Sequence, residues 1–170
     1  MPEASQDSML LVLLNGRTRE ELQELAKSPG PILEQYKLYV EMADRISSRR
    51  LTANSFFLTI NSAIIALGGY AALRFGEPAP SSLGLAASAA GVTLCLLWFR
   101  LVKSYRDLNT TKFTVIHEIE KLLPVSPYDA EWQAVGRGTR PSKYLPLTHL
   151  ELLVPWVFAA LHIGALVGPF

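Results

Sequence analysis

A chain of 170 residues has room for one soluble domain, or for a few membrane helices with modest soluble parts. Its composition selects the second, because 49% apolar against 18% charged residues gives a mean hydropathy of +0.22 and the apolar residues are gathered into runs. Sixteen basic and fifteen acidic residues nearly cancel, so no global field favours nucleic acid, and the one cysteine, Cys95, excludes an internal disulfide and any CxxC spacing.

In chain order, Met9 to Leu14 is apolar but only about six residues long, against the roughly 20 that a spanning helix needs. The first basic residue is Arg17, so the basic n-region of a signal peptide is missing. The segment reads as a short element docked on the soluble part. Arg17 to Lys27 follows as a polar helix with Leu22, Leu25 and Ala26 on one side, stopped by Ser28, Pro29, Gly30 and Pro31.

A second helix starts after Pro31. Ile32, Tyr36, Tyr39, Val40, Ala43 and Ile46 keep helical spacing, while Glu34, Lys37, Glu41, Asp44 and Arg45 fall mostly on the other side. From Tyr36 to Leu73 there is no proline, and no glycine before Gly68. The stretch changes halfway from a charged amphipathic repeat to an apolar run, the pattern of one helix that leaves the cytoplasm and enters a bilayer.

Three segments reach membrane length: Phe56 to Leu73, Leu83 to Val102, and Leu150 to Val167. The first two are joined by a loop rich in turn-formers and form a hairpin. Arg45, Arg49 and Arg50 precede the first span and Arg100, Lys103, Arg106 and Lys112 follow the second, whereas the hairpin loop offers only Arg74. The positive-inside rule therefore places the N-terminus and the region from Lys103 to Thr148 in the cytoplasm. The third segment then runs outward, its C-terminus periplasmic. Thr148 and Glu151 form a capping-box pattern before it, but Pro155, Gly164 and Gly168 leave two readings open, a full span or a re-entrant or interfacial helix.

Wrapping the first span at 100° per residue puts Asn54, Ser55, Thr59, Asn61, Ser62, Gly68 and Gly69 on one half, with Phe56, Phe57, Ile60, Ile64 and Leu67 on the other. Lipid cannot satisfy amides, so the polar half meets protein or water. It either lines an aqueous path or supplies interhelical hydrogen bonds, and both need a partner helix. On the second span, Gly84, Ser88, Gly91 and Cys95 recur at spacings that let helix backbones approach, either as packing or as a pore wall. No Asp, Glu, Lys or Arg lies within the interior of any span, Arg100 and Glu151 standing at the ends of theirs, which argues against a proton relay or voltage sensor.

Beyond the second span the helix continues through Leu101, Tyr105, Leu108, Val115, Ile116, Ile119 and Leu122 to Pro124, so two long helices project from the membrane as an antiparallel pair. His117, Glu118 and Glu120 on it read as a solvated helix face rather than a metal set. A short helix begun by Asp129 and ended by Gly136 precedes a basic segment. There Arg137, Arg140 and Lys143 either wrap an anion or lipid head group or form a plain juxtamembrane loop. No Walker loop, GxGxxG, HExxH or GxSxG occurs.

Four words in order, Glu34–Arg50 (EQYKLYVEMADRISSRR), Ala53–Asn61 (ANSFFLTIN), Lys112–Pro124 (KFTVIHEIEKLLP) and Tyr144–His149 (YLPLTH), resemble the RipA family of small bacterial membrane proteins. The resemblance implies an octamer in the cytoplasmic membrane, linked to adaptation and growth inside host cells. It supplies no catalytic residue, cofactor or ligand. The helix leading into a two-span hairpin is also similar in architecture to SLATT-type effectors, which implies a second possibility, a ligand-gated effector or sensor of a bacterial defence system.

The sequence thus predicts an all-α integral membrane protein divided into 1–30 (cytoplasmic segment), 31–55 (amphipathic helix), 56–102 (transmembrane hairpin), 103–148 (cytoplasmic helix and basic loop) and 149–170 (C-terminal membrane helix), with a cytoplasmic helical bundle. Its expected partners are copies of itself and membrane lipids. The expected function is non-enzymatic: a pore, a chamber or a scaffold.

Overall fold

The computed structural model describes residues 12–18, 20–21, 24, 27, 30–75, 82–138 and 147–167, and among them the regular structure is entirely helical. Helix α1 is Gly30–Phe75, α2 is Ser82–Glu120, α3 is Pro127–Ala134 and α4 is Leu147–Val167, with a 3-10 turn at Gly136–Gly138. The chain divides into two compact units: Met1–Ile46 with Leu108–Leu145, and Ser47–Asp107 with Pro146–Phe170.

Helix α1 runs 46 residues, as the lack of turn residues before Gly68 predicts, and begins at Gly30 rather than after Pro31. Helices α1 and α2 are each long and apolar enough to cross a membrane, while the apolar part of α4, Leu150–Leu166, is shorter. A core helix of a soluble protein is mostly buried; the apolar window of α1 is only 6% buried and that of α2 28%, so their apolar surfaces face away from the chain's own core.

Before α1, the amide of Thr18 donates to Glu21 Oε2 at 2.8 Å and the amide of Glu21 donates to Thr18 Oγ1 at 3.3 Å. This reciprocal capping box starts the helical turn that includes Glu20, Glu21 and Glu24. Of the N-terminal apolar segment, Val12 is 78% exposed while Leu13 and Leu14 are half-buried; Met9 to Leu11 lie outside the described residues.

In the first unit, Tyr36 and Tyr39 of α1 meet Glu120 and Lys112 of α2, so the helices run antiparallel there. Ala43, Ile116 and Ile119 are buried in this unit. Helix α3 begins two residues before Asp129: Ser126 is the N-cap and Pro127 occupies the first turn, where its missing N–H costs nothing.

In the second unit three helices pack. Asn54 meets Trp98 and Asn61 meets Cys95, an antiparallel α1–α2 pairing. Helix α4 lies parallel to α1, because Asn61 and His162, 101 positions apart, are in contact and the same offset relates Arg50 to Glu151. Glu151 is thus turned to Arg50 at 3.2 Å, and Thr148, its expected capping partner, stands inside the helix rather than ahead of it.

Candidate functional site

The second unit holds a polar node among three apolar helices. Asn61 is fully buried, His162 is 2% exposed and Cys95 1%. The Asn61 Nδ2 amide donates to the carbonyl of Phe57 at 2.8 Å, one turn back on α1. That bond turns Oδ1 toward α2 and α4, where it accepts from Cys95 Sγ at 3.3 Å and lies 3.0 Å from His162 Nε2. With a carbonyl oxygen as the shared acceptor, His162 carries its proton on Nε2.

Gly91 makes room for this imidazole. A Cβ placed there would run into the His162 ring, closer than real side chains approach. One turn beyond Cys95, the Trp98 indole N–H donates to Asn54 Oδ1 at 2.8 Å while its ring stacks on Phe57 at 5.8 Å between centroids. Both span asparagines therefore spend their carbonyl oxygens inside the subunit. Each satisfies a donor that lipid could not.

The predicted polar half of the first span is accordingly divided. Asn54 and Asn61 point inward, whereas Ser55, Thr59 and Ser62 are exposed on the single chain, with Thr59 Oγ1 donating to the Ser55 carbonyl at 2.8 Å. On α2, Ser88, Gly91 and Cys95 lie buried and Gly84 is exposed. Near them Cys95, Leu96, Phe99, Pro155, Trp156 and Ala159 line a shallow apolar crevice with no room for a water and no convergent polar groups.

The first unit contains a second node. Glu120 is fully buried and Glu118 is 8% exposed, so the expected solvated face is instead an interior one. Glu120 Oε1 accepts from the Tyr36 hydroxyl at 2.8 Å and from the Tyr128 amide at 2.9 Å, and Oε2 accepts from the Asp129 amide at 3.0 Å. The carboxylate thereby caps α3 from another helix, doing what the Ser126 side chain does not. Ser126 Oγ instead donates to the Glu120 carbonyl at 3.3 Å.

Around this clasp, Phe113 meets Tyr128 edge-on at 5.6 Å, and the 8% exposed Lys112 holds its ammonium 4.2 Å above the Tyr39 ring. Burial, then the hydrogen bond and charge of Glu120, push the Tyr36 phenol well above its ordinary range. The sequence hid this site because Tyr36 and Glu120 are 84 positions apart and Glu120 sits among other charged residues. The one available signal was the proline-started helix shortly after it.

Of the basic segment, Arg137 takes a left-handed conformation (φ 52°) after Gly136 (φ 75°) and pairs with Asp129 at 3.4 Å. Arg140 and Lys143 lie outside the described residues. Among the described residues no three His, Cys, Asp or Glu side chains converge as a metal set.

A family model described as the octameric membrane protein family (8xMP) matches residues 33–169. No curated protein and no solved structure matches the chain.

Proposed function

The chain belongs to the octameric membrane protein family and is a homo-oligomeric membrane protein, and from that premise we propose a non-enzymatic assembly of eight copies in the bacterial inner membrane. Its N-terminus is cytoplasmic, α4 is a third membrane helix, and the first unit belongs to a cytoplasmic bundle. Function resides in the assembly itself, as a scaffold or chamber, with the link to adaptation and growth in host cells carried only by the resemblance to RipA proteins.

The observation that carries this reading is the division of polar groups on α1. Asn54 and Asn61 use their carbonyl oxygens within the subunit, while Ser55, Thr59 and Ser62 remain on the outer surface of an apolar helix. Hydroxyls facing lipid gain nothing, and hydroxyls facing a neighbouring helix contribute packing and hydrogen bonds. This face is proposed as the contact between copies within the membrane.

The test is substitution of that face. S55L/S62L should weaken the assembly, seen as a loss of the largest species on native mass measurement in detergent. An unchanged oligomer would remove the hydroxyl face from the contact. If reconstituted liposomes also pass ions, the flux path should respond to S55L/S62L and not require Asn54 or Asn61.

A further inference from the structure

Outside the apolar run, α1 carries a second unpartnered surface. Its inner face is occupied: Tyr36 bonds Glu120, Tyr39 lies under Lys112, and Ala43 is 4% exposed. On a flank beside that face, one turn apart, Leu38 is 59% exposed and Met42 43%. Along one flank, the ion pairs Glu34–Lys37 at 2.8 Å and Glu41–Arg45 at 2.7 Å keep the charges beside this apolar ridge bound to each other.

We propose that the Leu38–Met42 ridge is a contact with a second copy of this chain. Asp44, Arg45, Arg49 and Arg50 stand between the ridge and the apolar run and keep it out of hydrocarbon. Lipid therefore does not cover it. In a protein that assembles with itself, a neighbouring copy is the partner already at hand, and burying a leucine and a methionine against it removes apolar surface from water. The inference rests on the placement of the first unit outside the membrane, and it extends the assembly beyond the hydroxyl face of the span.

Cysteine labelling gives the sharpest test, because Cys95 is 1% exposed and serves as a silent background. On the single chain Leu38 is more open than Leu33, which is 38% exposed on another flank of the same helix. Without an interface at the ridge, L38C should react with an aqueous maleimide faster than L33C. The proposal reverses that order in the detergent-extracted oligomer, with L38C slower by several-fold. L38C labelling as fast as L33C, or faster, overturns it.

A second arm uses L38E/M42E, expected to give smaller species on native mass measurement with helical content unchanged, whereas L33E keeps the wild-type mass. Wild-type protein migrating as one chain would refute the oligomer itself. A wild-type oligomer with an equally large L38E/M42E variant refutes the ridge alone. If neither single-cysteine variant is labelled by the aqueous reagent, the first unit is not exposed to water and the placement on which the ridge rests is wrong.

Discussion

The Tyr36 hydroxyl donates to Glu120 Oε1 at 2.8 Å, joining two residues 84 positions apart through a carboxylate that also caps α3. Truncating the acceptor orphans three donors at once, and an unsatisfied buried donor costs about 1–3 kcal/mol. E120A is therefore expected to destabilise the protein by about 3 kcal/mol or more. Y36F, which removes one donor and leaves the cap intact, should cost about 1–2 kcal/mol. Thermal unfolding in detergent measures both, and equal losses would contradict the capping role.

The same pair gives a pH dependence. Burial and then Glu120 raise the Tyr36 phenol above the value of about 10 that it has in an unfolded chain. The native state thus holds this proton more tightly, so the stabilisation is complete below about pH 10 and is lost as pH rises towards the folded value. Midpoints for the wild type should fall more steeply above about pH 10 than those for Y36F. Parallel curves would show that Tyr36 does not titrate in this way.

Gly91 and His162 are coupled by contact. G91A forces the imidazole to move and is expected to cost about 1–3 kcal/mol. In an H162A background the methyl has room, so G91A should then cost much less. A double-mutant cycle reports the difference, and additive losses would place the strain elsewhere.

Asn61 anchors both Cys95 and His162. N61L leaves these two donors without their acceptor and should lower stability by about 1–2 kcal/mol. The expected effect is on the subunit's own packing. An unaltered unfolding midpoint would argue against that structural role.

Much of the architecture was legible because membrane helices announce themselves by length and by the absence of turn residues, as α1 does between Tyr36 and Leu73. The polar half of the first span was also visible in the helical period. Its division was not, since the period cannot tell whether Asn61 faces a neighbour in the same chain or in another copy. That depended on Cys95 and His162, which the fold brings to one oxygen. Glu120 is hidden for a related reason: charge marks a solvated face until a distant hydroxyl and two backbone amides meet it. Helix α3 starts ahead of Asp129 because Pro127 sets the first turn and Glu120, from another helix, supplies the acceptor.

The most direct measurement is the native mass of the wild-type protein extracted from bacterial membranes in mild detergent. Eight copies of the 18.8 kDa chain is the expected result, and a stable single chain, or a closed assembly of another number, would contradict it.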